Sequence, residues 1–346
     1  MSEQNSGHYL SIVVTSRNDN HGGDLLQRTS VFVNGVYAQS LRWNLPLELV
    51  IVDWNPPSDK PLLQDILPKP TANCKVALKY IIVPIELHQK YKNSAAIPLF
   101  QMIAKNVGIR RAEGDFILCT NIDILFSDEC FKELAAKRLK KGIFYRANRC
   151  DVPREVMKES TLDAQLAYAK KNIIKRLGKS KGHETLTLPR FMYFFPNMAR
   201  LLNLLVLNVW KRVHKDVFPH FIIDFDACGD FTLMSKEDWV DIEGYVELEM
   251  YSIHIDSMAL WAASALGKKQ ELFPYNSCIY HIYHEDGWES DDALRTIQFL
   301  MNKPCLDYTI IFKAGSQIVK NKTHWKMNKP DWGMANLQLE TAEYTA

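Results

Sequence analysis

At 346 residues the chain is long enough to bury a large core, in one domain or in two closely packed ones. Its 47% hydrophobic and 24% charged content is typical of a globular protein, and a net charge of +2 gives no reason to expect a nucleic-acid partner. The cysteines are scattered and form no C-x-x-C pair, which argues against a zinc site or a disulfide framework and fits a reducing compartment.

The charge is unevenly distributed. Residues 131–215 carry a net charge of +14, whereas the remainder carries −12. A basic middle of this kind suits an anionic surface such as a phospholipid, a lipid phosphate or an acidic glycan, although solvated helix faces would give the same count. The first ten residues, MSEQNSGHYL, are polar, so we expect no signal peptide, and the sequence shows no run of about 18 uncharged apolar residues. We therefore expect a cytoplasmic protein, with peripheral membrane contact as an open alternative.

Strand and helix patterns alternate over the first 130 residues. Short apolar, β-branched runs predict strands at 9–15, 47–52, 76–83 and 116–119, and helical periodicity predicts helices at 24–41 and 97–111. This alternation predicts an α/β fold with a mostly parallel central sheet flanked by helices. No G-x-G-x-x-G or G-x-x-x-x-G-K-[ST] follows the first strand, which excludes the dinucleotide fingerprint and the usual ATPase phosphate loop.

The second half is less regular. A basic helix is predicted at 155–177, and the strongly apolar segment 196–213 reads either as a helix lying in a membrane surface or as a core helix. A strand at 232–235 should lead into a helix capped by Ser235, followed by an apolar helix at 255–266 and a strand at 277–283.

The turn after the fourth strand is the main candidate site. Asp123 lies between the apolar runs 116–119 and 124–126, and a carboxylate buried there needs a cation or a hydrogen-bond donor. Strand ends at a sheet edge are also where α/β folds bind ligands. We interpret Asn121-Ile122-Asp123 as a site for a metal and a diphosphate. A solvated surface turn or a helix cap is the alternative.

Four segments give the chain a resemblance to the nucleotide-sugar-dependent glycosyltransferases of the GT-A fold, most similar to the family-2-like group. They are SIVVTSRND (11–19), LVIVDWNPPSD (49–59), AKNVGIRRAEGDFILCTNID (104–123) and CGDFTLMSKEDWVDIEGYVE (228–247). The third is the most specific, and the basic middle is unmatched. The resemblance implies a nucleotide-sugar-binding half at 1–130, a helical basic insertion at 131–220 facing a membrane or the acceptor, and an acceptor-binding, catalytic half with the C-terminal tail at 221–346.

The resemblance also implies a bound Mn²⁺ or Mg²⁺. Asp123 would hold it together with a C-terminal histidine. Residues three apart in an extended strand point to opposite faces, so we expect only one of His281 and His284 to reach the metal unless the chain turns at Tyr283. We favour His284, because the Glu285-Asp286-Gly287 that follows it is typical of a loop. Asn121 replaces one acid of the family's Asp-x-Asp motif, so we expect weaker metal binding, with diphosphate oxygens and water completing the coordination.

Donor-side residues follow from the same resemblance. Thr15, Arg17 and Asp53 would line the nucleoside pocket. A cap or turn role before Pro56 is the alternative for Asp53, and an ion pair with a nearby acid is the alternative for Arg17. Asn106 would brace the diphosphate loop, with a purely structural hydrogen bond as the alternative. Asn121 would contact a metal-bound water or the ribose.

On the acceptor side, Asp256 would be the general base, with Glu249 and Asp230 as rivals. A helix N-cap is the alternative role for Asp256. Asp230 would otherwise hold acceptor hydroxyls, with Phe231 or Trp239 as an apolar platform for a sugar.

The predicted function is the transfer, with inversion, of a sugar from a nucleoside-diphosphate sugar to a hydroxyl of a glycan or lipid-linked acceptor. Two alternatives stay open. A sugar nucleotidyltransferase would normally carry a glycine-rich loop after the first strand, which this sequence lacks. A degenerate GT-A domain would bind nucleotide or glycan without turnover, and the amide at Asn121 keeps that alternative open.

Overall fold

The computed structural model describes residues 7–178, 223–284 and 303–345. Much of the predicted basic insertion at 131–220 lies outside these ranges, as does the whole apolar segment 196–213. The division of the chain into three functional parts stays a prediction.

Twelve strands and nine α-helices lie within the described ranges. The strands are β1 Leu10–Ser16, β2 Leu47–Trp54, β3 Val76–Val83, β4 Phe116–Cys119, β5 Ile124–Phe126, β6 Ile143–Arg146, β7 Arg149–Val152, β8 Lys175–Leu177, β9 Thr232–Ser235, β10 Lys269–Leu272, β11 Ile279–Ile282 and β12 Glu340–Tyr344. The helices are α1 Leu25–Arg42, α2 Leu63–Ile66, α3 Ile85–His88, α4 Gln101–Arg111, α5 Asp128–Ala135, α6 Leu162–Lys171, α7 Lys236–Asp241, α8 Ile255–Ala265 and α9 Tyr308–Asn321.

An eight-stranded sheet forms the centre of the fold, in the order β10-β6-β9-β4-β1-β2-β3-β12. Strands β9 and β12 run opposite to the other six. Alternate residues of β1 reach the two faces: Ile12 and Val14 pack with α1, whereas Val13 packs with α4 and α8. The predicted α/β fold with a mostly parallel central sheet flanked by helices is therefore confirmed.

Helix α4 lies unusually close to the central strand. A Cβ on Gly108 would stand 2.4 Å from the side-chain Cγ1 of Val13, so the helix backbone at this position packs directly on a side chain of β1. Parallel strands buried on both faces favour such direct packing of helix on sheet. This close packing places Gln101 and Lys105, on the polar face of α4, beside the turn that follows β4.

A smaller sheet has the order β5-β11-β7-β8, and its strands β5 and β7 directly follow β4 and β6 of the central sheet along the chain. Strand β11 runs parallel to β7, with His281 opposite Asp151, and antiparallel to β5. The backbone N–H of Ile282 donates to the carbonyl of Asp123 at 2.9 Å. This pairing brings the end of β11 beside the turn after β4.

Two predicted helices have different bounds in the structure. Helix α4 begins at Gln101 rather than at residue 97, because Pro98 disfavours helical geometry at the residue before it. The helix predicted at 155–177 is instead a 3₁₀ turn, Arg154–Lys158, then α6 and β8. Thr161 starts α6 by accepting from the N–H of Ala164, and strand β8 pairs with β7.

Ser235 caps α7 as predicted, with its hydroxyl accepting from the N–H of Asp238 at 3.1 Å.

Across the three described ranges, none of the helices combines the length and the apolar character that a bilayer crossing requires.

Candidate functional site

A cavity of about 520 Å³ opens where the carboxyl ends of β1 and β4 meet the loop before β9 and the start of α8. Several of the sequence-predicted site residues line it. They are Thr15, Arg17, Asn121, Asp123, Asp230, Asp256 and His284, together with His281.

Asp123, His281 and His284 form a buried cluster at the cavity wall. Nε2 of His284 lies 2.9 Å from Oδ2 of Asp123, and Nε2 of His281 lies 3.7 Å from the same oxygen. One ligand atom from each residue falls within 4.8 Å of the others. A carboxylate oxygen and two imidazole nitrogens are therefore directed to one point, which is a donor set that divalent transition cations accept.

Both histidines reach this point because the strand ends early. Strand β11 stops at Ile282, and the N–H of Tyr283 turns to the carbonyl of Val152 at 2.8 Å. The alternation that would separate His281 from His284 therefore does not extend to His284.

Asp151 and Arg149 support His281 from β7, and sequence reasoning missed both. Oδ1 of Asp151 lies 3.2 Å from Nδ1 of His281 and accepts from Nε of Arg149 at 2.6 Å. Both side chains are more than nine-tenths buried. Only the pairing of β7 with β11 brings Asp151 opposite His281, and no local signal in the sequence predicts that pairing.

The loop after β1 covers His284. Arg28 donates from Nε and Nη2 to the carbonyl of Gly23, at 3.1 and 3.0 Å, and its Nη1 lies 3.3 Å from Oδ2 of Asp123. Gly22 has a φ of +67°, and a Cβ there would stand 2.6 Å from Nδ1 of His284. Only glycine fits at this position, because both the backbone angle and the ring exclude a side chain.

The charges within the cluster are strongly coupled. Burial alone would raise the pKa of Asp123, but the charge and hydrogen bonds of His281 and His284 outweigh it and hold this pKa well below its usual range. Burial alone would lower the pKa of His281, but the carboxylate of Asp123 raises it to about 10. An imidazole that ligates a metal is neutral, so this proton and a bound cation exclude one another.

The side chain of Asn121 is fully engaged by its neighbours. Its Oδ1 accepts from Nε2 of Gln101 at 2.8 Å and from Nζ of Lys105 at 2.9 Å, and its amide nitrogen donates to Oδ1 of Asp230. Lys105 is fully buried and also donates to the carbonyl of Gly229 at 2.7 Å. Burial lowers the pKa of Lys105. Nearby carboxylates, including those of Asp230 and Asp256, act in the opposite direction and raise this pKa.

Asp230 lines the cavity with both carboxylate oxygens already bonded. Oδ1 accepts from Asn121, and Oδ2 accepts from Nη1 of Arg149 at 2.8 Å. The backbone carbonyl of Asp230 accepts from the hydroxyl of Thr120 at 2.6 Å. The residue thus joins the loop before β9 to the turn after β4.

Asp256 lies in the first turn of α8 rather than at its N-cap. The N-cap is His254, with a φ of 64°, so the predicted capping alternative is wrong. Oδ1 of Asp256 accepts from the N–H of Ser257 at 2.8 Å, and a Cβ on Gly229 would stand 2.9 Å from Oδ2. The rival Glu249 accepts from the N–H of Lys92 and is not among the cavity-lining residues.

Two of the donor-side residues line the cavity beside β1. The hydroxyl of Thr15 donates to the carbonyl of Val52 at 3.2 Å. Arg17 donates from Nε to the carbonyl of Asn55 at 2.7 Å and pairs with Asp19 at 2.9 Å.

Asp53 and Asn106 are not among the cavity-lining residues, and their contacts are internal. Oδ2 of Asp53 accepts from the N–H of Leu63 at 2.9 Å, and burial raises its pKa to about 6. Asn106 is completely buried and exchanges two hydrogen bonds with the backbone of Tyr245, each 2.8 Å long. Their predicted roles in donor binding stay predictions.

No protein-family model matches the sequence, and no curated protein matches it. Among solved structures, the chain is similar to TarS of S. aureus. Residues 1–349 of TarS align over 90% of this chain and 71% of that one, with 13% identity and a TM-score of 0.40. The same fragment in complex with UDP-GlcNAc gives a TM-score of 0.46 at 13% identity.

A longer TarS structure is covered to 46% by this chain, so the chain spans about half of its length, with 12% identity and a TM-score of 0.40. At such identities, and with TM-scores below 0.5, these likenesses assign neither a family nor an activity to this chain.

Proposed function

We propose that the chain is a glycosyltransferase that moves a sugar from a nucleoside-diphosphate sugar to a hydroxyl of a glycan or lipid-linked acceptor, assisted by Mn²⁺ or Mg²⁺. The observation that carries this proposal is the cluster of Asp123, His281 and His284 in the wall of a cavity at the carboxyl ends of β1 and β4. The four GT-A-like sequence segments give the reaction class.

The cluster fits a cation in both its chemistry and its burial. Oδ1 of Asp123 is buried and has no hydrogen-bond partner among the described residues. When bound, the cation supplies positive charge that balances the charge developing on the leaving diphosphate. Two imidazoles beside one carboxylate favour Mn²⁺ or a later transition ion over Mg²⁺, which prefers oxygen ligands.

Thr15 and Arg17 are the proposed contacts to the nucleoside. Asp53 and Asn106 would act behind them, because Asp53 fixes the N–H of Leu63 and Asn106 fixes the backbone of Tyr245. Asn121 would hold the shape of the turn that carries Asp123.

Asp256 is the proposed general base. Its carboxylate would take the proton from the acceptor hydroxyl while that oxygen attacks the anomeric carbon, and a single displacement inverts the configuration. Asp230 lies on the same wall, where its remaining lone pairs can accept from acceptor hydroxyls.

The test uses the full chain with a panel of nucleoside-diphosphate sugars and MnCl₂, and measures release of the nucleoside diphosphate. We expect release from at least one donor, and at least a hundredfold less with D123A. D238A is the matched control, because Asp238 is also a buried, ion-paired carboxylate but is not among the residues that line the cavity. Equal release by D123A and the unaltered chain would count against the proposal.

A nucleotide-binding domain without turnover is the second candidate. The observation that favours it is the full engagement of Asn121 where the family has an acid. Donor binding by calorimetry without diphosphate release would identify it. A separate assay with a nucleoside triphosphate and a sugar phosphate would identify a sugar nucleotidyltransferase by its release of pyrophosphate.

Peripheral membrane contact is a separate part of the proposal and rests on the net charge of +14 over residues 131–215. Flotation of the full chain with anionic vesicles, and not with zwitterionic ones, is the expected result.

A further inference from the structure

A line of buried polar contacts connects the histidine cluster to the opposite wall of the cavity. We call it the polar bridge. Its members, in order of contact, are Lys105, Asn121, Asp230, Arg149, Asp151 and His281. Each of the six has less than a tenth of its surface exposed except Asn121, whose polar atoms are all in hydrogen bonds.

Arg149 is the centre of the bridge. Its Nη1 donates to Asp230 at 2.8 Å and its Nε donates to Asp151 at 2.6 Å, so one guanidinium fixes two carboxylates. A planar guanidinium with donors in a fixed fork holds both at defined angles. The orientation of Asp151 is therefore tied to the orientation of Asp230.

Asp151 in turn faces Nδ1 of His281 at 3.2 Å, opposite it in the parallel register of β7 and β11. The contact is a close charge pair rather than an aligned hydrogen bond, since Nδ1 of His281 has no hydrogen-bond partner of standard geometry among the described residues. A carboxylate this close to Nδ1 favours the proton on that nitrogen and leaves Nε2 for a ligand. Nε2 is the nitrogen of His281 that faces Asp123. The carboxylate thereby sets which way the ring points.

Asn121 occupies a position that requires both an acceptor and a donor. Its oxygen receives Lys105 and Gln101, and its nitrogen gives a hydrogen bond to Asp230. An aspartate there would lose the donor and bring a second carboxylate into contact with Asp230, which is unfavourable for two like charges in a buried site. The amide of Asn121 has both an acceptor and a donor, so it forms hydrogen bonds with all three neighbouring side chains.

We propose that Asp151 is the positioning residue for His281, and that this histidine supplies the ligand that an acid at position 121 would otherwise supply. The inference rests on the proposed metal site and deepens it. Asn121 is then a fixed part of the polar bridge rather than a lost ligand.

The first test measures Mn²⁺ binding to the full chain, with MnCl₂ alone and no nucleotide sugar, by electron paramagnetic resonance. We expect D151A to bind about 10- to 100-fold more weakly and to lose part of the imidazole-nitrogen modulation in the electron-spin-echo spectrum of the bound ion. D151N should restore most of both, because Asn retains an oxygen that can accept from Nδ1 of His281.

D238A is the matched control. Asp238 is equally buried and ion-paired, here with Lys268 at 2.5 Å, but its side-chain contacts are with Ser235, Gly142 and Lys268 rather than with the polar bridge. A D151A variant with unaltered affinity and an unaltered imidazole signal would overturn the inference, and so would an equal loss in D238A.

The second test uses N121D and stands even if D151A does not fold. We expect N121D to bind Mn²⁺ no more tightly than the unaltered chain, whereas tighter binding would show that a ligand is missing at position 121 and would refute the inference. Absence of Mn²⁺ binding by the unaltered chain also refutes it. Donor turnover is measured in a separate assay. The inference about Mn²⁺ binding and the proposed glycosyltransferase function can therefore fail independently of one another.

Discussion

Gly22 lies so close to His284 that a Cβ on Gly22 would stand 2.6 Å from Nδ1 of the ring. The loop after β1 therefore determines where His284 can stand, although the two residues are far apart in the sequence. We expect G22A to displace the ring and to weaken Mn²⁺ binding at least tenfold, measured by electron paramagnetic resonance.

The matched control for this prediction is G267A. Gly267 has a φ of +79° and would gain a Cβ with nothing within 4 Å, so it carries the same backbone strain without the contact. Comparable Mn²⁺ affinities for the two variants would show that the contact with His284 has no role.

The pH dependence of stability should reveal the burial of Asp53. Burial raises its pKa to about 6, above the unfolded value of 3.8, so the folded state favours the protonated carboxyl. This contribution is fully present below the unfolded pKa and is lost as the pH rises through about 6. D53N should remove this loss, which is at most about 3 kcal/mol.

The measurement is urea unfolding of D53N and the unaltered chain from pH 3.5 to pH 7.5. D59N, at an exposed carboxyl in the loop before α2, serves as the reference, because Asp65 itself contributes to the raised pKa of Asp53. The prediction is wrong if the stability difference between D53N and the unaltered chain stays constant over that range.

We expect Asp256 to contribute to the chemical step and not to the binding of Mn²⁺ or of the donor. We expect D256N to lower kcat by about 10²- to 10⁴-fold, the range for loss of a general base, while Mn²⁺ and donor binding persist. E249Q distinguishes the rival, because Glu249 bonds to the N–H of Lys92. Steady-state kinetics measure kcat, and calorimetry measures donor binding. Loss of turnover in E249Q but not in D256N would identify Glu249 as the general base.

The close packing of α4 on β1 predicts a difference between two helical glycines. A Cβ on Gly108 would stand 2.4 Å from Val13, whereas one on Gly35 in α1 would stand 3.0 Å from Leu125. Both changes raise helix propensity, by about 1 kcal/mol. We expect G108A to destabilise the fold by about 1–3 kcal/mol through overpacking, and G35A to be nearly neutral, in urea unfolding.

Equal unfolding midpoints for G108A and G35A would mean that α4 has room to move away from the sheet.

The fold was predictable from the sequence because its main elements carry local patterns. The apolar runs of β1, β2, β3 and β4 and the stripe of α1 depend on residues that are neighbours along the chain. The break between α6 and β8 was not predicted, because β8 forms by pairing with β7 rather than by its own periodicity.

The site was only partly predictable for the same reason. Asp123 stands out as an acid between two apolar runs, and its position in the cavity wall follows from that context. Asp151 has no such signal, because its contact with His281 depends on the pairing of segments 130 residues apart. The engagement of Asn121 by Lys105 likewise requires knowing that α4 lies under the turn.

Lys105 has a consequence for anyone who wishes to reshape the cavity. Its ammonium group holds the side chain of Asn121 and the carbonyl of Gly229 together, so the two walls of the cavity share one internal support. Libraries that diversify Phe225, Asp226 and Ala227 leave this support intact. Backbone insertions at Gly229 would also loosen the turn that carries Asn121, and should be avoided by an engineer who wants to alter one wall at a time.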